Sequence, residues 1–255
     1  MEALGAQRLL QCWDGARAEH PLRRALVLLD AAWPEVGAAR WGALPLGARD
    51  ARLIALHEAL FGPALETRVD CPACGAELET PLSTSELATP PAPADDPPPL
   101  VADGIAVEWR LPTSDDLLAV LEADDVADVA DVADDGTADD AAGRLLARCV
   151  RAARHGDVLL APQELPEPLI ERLQQAMAER DPGADLRIAL ACPACGQAFE
   201  RRFDIGSHLF GALDDWAERL LDEVHALASA YGWSEAEILA LPAARRRHYL
   251  ARIQA

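Results

Sequence analysis

The pentapeptide Cys-Pro-Ala-Cys-Gly occurs twice, at residues 71–75 and 192–196. In each copy the Cys-x-x-Cys turn lets two thiolates converge on one metal ion, and the following Gly permits the positive φ that directs backbone N–H groups toward the sulfurs. Two such turns supply the four sulfur ligands of a tetrahedral zinc site. We therefore predict one structural zinc ion per chain, with these ligands: Cys71, Cys74, Cys192 and Cys195.

The residues around the two copies also match. A segment with strand character precedes each copy, and an apolar residue stands at the same distance after each first cysteine, Leu78 in one and Phe199 in the other. Apolar residues recur on both sides with the period of a half-buried strand. The sequence thus predicts strand, turn and strand twice, a zinc ribbon split into the halves 65–87 and 185–205.

Other chemistry for these cysteines is less consistent with their surroundings. Catalytic zinc keeps an open coordination position, whereas four cysteines close the shell. A redox-active Cys-x-x-Cys pair usually opens a helix, and these pairs precede Gly between strands.

Two further cysteines, Cys12 and Cys149, lie outside the motif. We expect both in the core, since free Cys is among the most buried residue types.

The charge of the chain restricts its partners. Its 255 residues are enough for a real core, and 43 acidic residues face 23 basic ones, all Arg, for a net charge of −20. Such a charge repels phosphate backbones, so we expect no nucleic-acid partner.

The sequence has no apolar run long enough for a membrane span, and its first residues lack the pattern of a signal peptide. We expect a cytoplasmic protein without a membrane partner, whose cysteines bind metal instead of forming disulfides.

Hydrophobic periodicity divides the rest of the chain. Beside the two ribbon halves, the pattern predicts a helical N-terminal segment 1–64, a Pro-rich linker 88–100, a middle α/β segment 101–184 and C-terminal helices 206–255. The predicted fold class is α+β, mostly helical, with a small split zinc-ribbon β element.

Three features stand out in the middle segment. Alternating apolar residues predict a strand over 101–111, and a helical pattern covers 143–153. Between them, residues 122–140 contain eight Asp, one Glu and no basic residue. Calcium is one interpretation of this acidic stretch, but its spacing is not that of an EF-hand loop. The other interpretation, which the composition favours, is a solvated acidic loop.

A long apolar stripe marks the C-terminal helices. Its members recur at steps of three and four residues: Leu209, Leu213, Trp216, Leu220, Val224, Leu227 and Tyr231. This is the pattern of an amphipathic helix, whose stripe belongs to the core or holds a partner. Gly232 ends the helix, and a capping box at 234–237 begins another. The last predicted helix carries the basic run 245–247, which we interpret first as a solvated helix end whose charge suits the helix dipole. Docking of an acidic partner is the alternative for this run.

The sequence does not match the motifs of known types of enzyme site. His57-Glu58 lacks the second His of a zinc protease helix, and Ser207 lies in no Gly-x-Ser-x-Gly turn. Neither a P-loop nor a dinucleotide-binding turn is present. His208 and His225 have no ligand partner at a suitable spacing. We therefore predict no enzymatic activity and no small-molecule substrate.

The C-terminal residues 220–228, 231–241 and 245–250 resemble the baseplate hub assembly chaperone family of T-even-like phages and phage-tail-like contractile injection systems. The stretch 109–117 and the Cys-Pro-x-Cys-Gly turns, the second followed by Phe-Asp-Ile at 203–205, are similar to its longer bacterial members.

This resemblance implies a non-enzymatic chaperone that acts in the cytoplasm while the baseplate hub of a contractile tail is built. Its partners would be protein components of the baseplate hub, the spike or the tape measure. The zinc site rests on the cysteines and not on the resemblance. The alternative is a zinc-ribbon adaptor or regulatory protein-binding module unrelated to tails.

Overall fold

A computed structural model describes residues 5–127 and 137–253, with side chains described outside 124–140. Its helices are α1 (Ala6–Arg17), α2 (Pro21–Ala32), α3 (Ala38–Gly42), α4 (Leu46–Phe61), α5 (Ser114–Ala127), α6 (Thr137–Cys149), α7 (Glu167–Arg180), α8 (Ile205–Tyr231), α9 (Glu235–Ala240) and α10 (Ala243–Ile253). Its strands are β1 (Ala64–Asp70), β2 (Glu77–Ser83), β3 (Leu100–Ala102), β4 (Ile105–Trp109), β5 (Val150–His155), β6 (Val158–Leu160), β7 (Arg187–Ala191) and β8 (Ala198–Arg202). Helices predominate and the sheets are small, which confirms the α+β class.

The chain forms two compact units. One combines its two ends, Met1–Ala38 and Ile205–Ala255, and the other is Ala39–Asp204. The predicted boundaries of the shorter segments are not tested by this division and stay predictions.

The unit made of the two chain ends is helical. Helix α8 buries the stripe predicted from its sequence, with Leu209, Leu213 and Leu227 fully enclosed. The Nε1 atom of Trp13 on α1 donates a hydrogen bond to Oδ1 of Asp214 on α8, at 2.7 Å. Most of the stripe therefore belongs to the core, as expected when an amphipathic helix packs on its neighbours.

In the central unit, the described residues form three antiparallel sheets. Strands β1 and β2 form one hairpin and β7 and β8 another, while β3, β4, β5 and β6 form a four-stranded sheet in chain order. Val107 and Trp109 of β4 pack with Leu169 and Leu173 of α7 in the core under that sheet. Apolar burial against α7 thus stabilises the four-stranded sheet.

Two predictions for this unit were wrong. The single strand predicted over 101–111 is a hairpin, β3 and β4, whose turn residues Asp103 and Gly104 have φ of 50° and 79°. Such a pair with positive φ matches the twist of a two-residue hairpin turn. The helix predicted over 143–153 ends at Cys149, because the following residues form β5 and pair with β4. Pairing across the sheet overrode the local helical pattern.

The acidic stretch 122–140 is also different from the predicted loop at its two ends. Residues 122–127 are the last residues of α5, and 137–140 are the first residues of α6. The residues between them, and with them the question of calcium or a solvated loop, lie outside the described part of the chain.

Candidate metal centre

The two Cys-Pro-Ala-Cys-Gly turns have the same backbone geometry. In each, the N–H of the first cysteine donates to a carbonyl five residues on, Cys71 to Ala76 and Cys192 to Gln197, both at 2.9 Å. The N–H of the glycine donates back to the carbonyl of that first cysteine, also at 2.9 Å in both turns. Gly75 and Gly196 have φ of 71° and 74°, which a residue with a side chain adopts only with strain. Each hairpin therefore presents its two thiols from one preformed turn.

The four predicted ligands lie together. Their sulfur atoms all fall within 4.8 Å of one another. The distance is 3.7 Å between Cys71 Sγ and Cys195 Sγ, and 3.7 Å between Cys74 Sγ and Cys192 Sγ. Four sulfurs at about 2.3 Å from a central ion in a tetrahedron lie about 3.8 Å apart. The four thiols therefore fit a tetrahedral metal ion that joins both hairpins.

One side of this centre is apolar and the other is open to solvent. Cys71 and Cys192 are buried with Leu78, and Phe199 packs against this cluster. Cys74 and Cys195 are exposed. The apolar side chains that stand at matching positions after each first cysteine thus form the floor of the centre, and they hold the first thiol of each turn away from water.

Hydrogen bonds and mutual contact shift the thiol pKa values in opposite directions. Backbone N–H groups, that of Cys195 first and then that of Ala194, lower the pKa of Cys192 to about 7. The backbone N–H of Ala76 acts in the same direction on Cys74, but the neighbouring thiols of Cys195 and Cys192 outweigh it and raise the pKa of Cys74 to about 12. Metal binding requires all four thiolates, so it must displace protons from this cluster.

The arrangement is suited to holding a structure together and not to catalysis. Four sulfur ligands complete a tetrahedral shell and leave no position for water or substrate. Each thiol pair lies in a turn between two strands and not at the start of a helix, where a low-pKa redox cysteine is usually found. Among the side chains that the structure describes, in residues 5–123 and 141–253, those of the metal-binding types gather in a group of three or more only at these four cysteines.

A second polar cluster in the central unit was missed by sequence reasoning. The carboxylate of Asp116, almost fully buried, accepts two hydrogen bonds from Arg110, at 2.5 and 2.8 Å, and one from Arg148 Nε at 3.0 Å. Asp116 also accepts from the backbone N–H and the hydroxyl of Thr113. Thr113 and Asp116 stand three residues apart at the start of α5, the spacing of a capping box, which was the available signal.

The environment of Asp116 determines its charge. Burial by itself raises the pKa of this carboxyl, but the donors of Arg110 and Thr113 outweigh it and hold the pKa well below its usual range. The aspartate is thus ionised in the folded protein and links α5 to the end of β4 and to α6. We assign it a structural role, because each of these partners belongs to the protein's own framework.

Fold and site together define a class: a mostly helical α+β protein in which two remote hairpins meet at a four-thiol centre of the structural type. The sequence model of one protein family, described as T4 bacteriophage base plate protein, matches residues 28–211 of this chain. That range includes both turns. This is most of the chain, so the chain belongs to that family. No curated protein and no solved structure was found to match it.

Membership in this family supports a phage baseplate-related protein that interacts with other baseplate proteins, and it suggests a non-enzymatic role. The match ends at residue 211, so the C-terminal stretches that resemble hub assembly chaperones lie beyond it. No helix in the described ranges has the length and apolar character needed to cross a membrane.

Proposed function

We propose that this protein is a non-enzymatic assembly factor, a chaperone, for the baseplate hub of a contractile phage tail or a phage-tail-like injection system. It acts in the cytoplasm on protein components of the hub, the spike or the tape measure. The observation that carries the proposal is the family match over residues 28–211. The resemblance of residues 220–250 to hub assembly chaperones narrows the role from baseplate protein to assembly factor.

The four-thiol centre binds one structural zinc ion per chain in this proposal. Cys71, Cys74, Cys192 and Cys195 are its ligands, and the sulfur spacing of 3.7 Å across the two turns supports a tetrahedral ion. Zinc supplies a rigid link between the hairpin β1–β2 and the hairpin β7–β8. The backbone N–H groups of the turns stabilise the thiolates, and Leu78 and Phe199 exclude water from one side. The segment between the hairpins, with its four-stranded sheet, is thereby closed into one unit.

The competing interpretation is a zinc-ribbon adaptor or regulator unrelated to tails. It would explain the cysteines equally well, because a structural zinc site carries no information about partners. It does not explain why a baseplate family matches most of the chain. The metal centre therefore supports the fold of the proposed chaperone, and the family match supports its role.

Deletion of the gene in cells that produce the particle tests this role. We expect tails without complete baseplates in electron micrographs, and recovery when the wild-type gene is supplied in trans. Normal, fully contractile particles after deletion would overturn the proposal. Affinity purification from cells assembling the particle separates the two interpretations, since hub, spike or tape-measure proteins are expected with a chaperone and not with an unrelated regulator.

A further inference from the structure

The last helix, α10, has one exposed face that combines arginine, histidine and tyrosine. Arg245, His248, Tyr249 and Arg252 follow one another at intervals of i, i+3, i+4 and i+7, so they share one side of the helix. Arg245, His248 and Arg252 are exposed, and Tyr249 is half-buried. This row is presented to solvent along nearly the whole helix.

A different side of α10 attaches it to its neighbours. Arg246 is buried, its Nε donates to Oε2 of Glu223 on α8 at 3.0 Å, and its Nη1 donates to the carbonyl of Leu241 at 2.9 Å. An ion pair of this kind, in which the Arg246 side chain is 7% and the Glu223 side chain 30% exposed, favours one orientation of a helix. The exposed row is therefore held in place by the packing of α10.

Two further aromatic rings, those of Trp233 and Tyr231, continue the row from Tyr249. Tyr249 meets Trp233 edge-on, with ring centroids 4.9 Å apart, and Trp233 stacks on Tyr231 at 4.8 Å. Tyr231 is 38% exposed, although it ends the otherwise buried stripe of α8. Aromatic side chains beside arginine are the composition typical of the energetically important part of protein interfaces.

The charge of this region is opposite to that of the whole chain. The net charge is −20, yet α10 contains four arginines and no acidic residue. Within the described part of the chain, neither Arg245 nor Arg252 forms an ion pair. Two carboxylates of α8 and α9 are already paired within the protein, Glu223 with Arg246 and Glu237 with the Ser234 cap of α9. Local cations in an acidic protein are thus left available for an external acidic group.

We propose that these residues form a docking surface, the C-terminal basic surface, for an acidic segment of another protein: Arg245, His248, Arg252, Tyr249, Trp233 and Tyr231. Carboxylates of the segment pair with the two arginines, and an apolar side chain of the segment covers the aromatic rings. The inference rests on the proposed function in one respect, since it assigns the chemistry by which a baseplate partner is recognised.

Charge also indicates whether the partner of this surface is a peptide or a nucleic acid. A short acidic segment interacts with charges inside a Debye length of about 8 Å at physiological salt. A nucleic acid is a long polyanion that extends beyond this local region into the field of a protein with net charge −20. The surface therefore favours a short acidic peptide.

The test uses the purified full-length chain and two short labelled peptides. One contains Asp and Glu around a central Leu, and the other has the same sequence with every acid replaced by its amide. We expect fluorescence anisotropy to show saturable binding of the acidic peptide only, weakening as salt is added. Arg252→Glu and Arg245→Glu should each weaken binding about tenfold or more, because each replaces an attraction by a repulsion.

Arg247→Glu is the matched control. It makes the same change of charge in the same helix, but Arg247 lies about 160° around the helix from Arg245. We expect less than about a twofold change in affinity, the size of a screened surface effect. Circular dichroism melting curves of the variants verify that each is folded.

Several results would overturn the inference. These are no binding of the acidic peptide, equal weakening by Arg247→Glu and Arg252→Glu, and tighter binding of a single-stranded oligonucleotide or of phosphatidylserine vesicles than of the peptide. Because the assay needs no particle, its failure leaves the assembly role intact. Normal particles after gene deletion would remove that role without affecting the measured peptide binding.

Discussion

The sulfur of Cys71 lies 3.7 Å from the sulfur of Cys195, although the two residues belong to different hairpins. Cys74 and Cys192 are related in the same way, so each buried thiol of one turn contacts the exposed thiol of the other. A metal ion at this point would be shared equally by both hairpins, and neither hairpin could complete a four-sulfur shell by itself. Metal binding and the closure of the central unit are therefore expected to depend on each other.

Loss of one ligand tests this dependence. Cys71→Ser or Cys192→Ser should abolish the single zinc per chain measured by plasma mass spectrometry. It should also lower the free energy of unfolding by about 3 kcal/mol or more, which corresponds to a decrease in Tm of about 6–12 °C for a chain of this size. Cys12→Ser is the control, since Cys12 lies in the helical unit and should leave the metal content unchanged. Two zinc ions per chain would contradict the shared site.

Acid should release the metal. Protons compete with zinc for thiolates, and the mutual contact that raises the pKa of Cys74 to about 12 makes complete deprotonation without a metal unfavourable. We expect the zinc retained after equilibrium dialysis against a chelator to fall as the pH decreases from neutral to mildly acidic. Zinc retention that does not change with pH would argue against thiolate ligands.

Removal of the charge of Asp116 should destabilise the central unit. Asp116→Asn leaves Arg110 and Arg148 without their carboxylate, and we expect a loss of about 2–3 kcal/mol in urea unfolding. This is less than for a fully buried ion pair, because both arginines are partly exposed. The adjacent Asp115 is exposed, so Asp115→Asn should change stability by less than about 0.5 kcal/mol. Equal effects of the two substitutions would refute the role of the cluster.

The same carboxyl should contribute to acid unfolding. Its pKa in the folded protein lies below the ordinary value of 3.8, so its stabilising contribution is complete above that value. The contribution is lost as pH falls from there through the lower folded-state pKa. Stability measured against pH should therefore decline less steeply in this acid range for Asp116→Asn than for the wild type, and parallel curves would contradict the prediction.

Helix α8 allows the same substitution, Leu to Ala, to be compared at a buried and at an exposed position. Leu213→Ala removes a fully buried side chain and should cost about 2–4 kcal/mol, whereas Leu221→Ala, at a position 36% exposed, should cost less than about 1 kcal/mol. Thermal unfolding monitored by circular dichroism measures both. Similar decreases in Tm for the two variants would show that the stripe is not the core of the helical unit.

Much of this structure could be predicted where the determining interactions are local. The spacing of the apolar residues predicted α8, and the glycine after the last of them predicted its end at Gly232, where φ is 70°. They could not predict the strand that follows Cys149, because residues 150–155 become a strand by pairing with β4 on one side and β6 on the other. Asp116 was missed as the centre of a cluster for a similar reason, since Arg148 reaches it from another helix.

The sequence by itself determined the four sulfur-bearing residues and the shape of each turn, because a five-residue turn with Pro and Gly depends on its own backbone conformation and hydrogen bonds. Only the tertiary structure decided that the two turns meet, which thiols are buried, and which sulfur of one hairpin lies beside which sulfur of the other. Those relationships depend on the packing of Leu78 and Phe199 around Cys71 and Cys192. Contacts between residues so distant along the chain have no local signal that specifies their geometry.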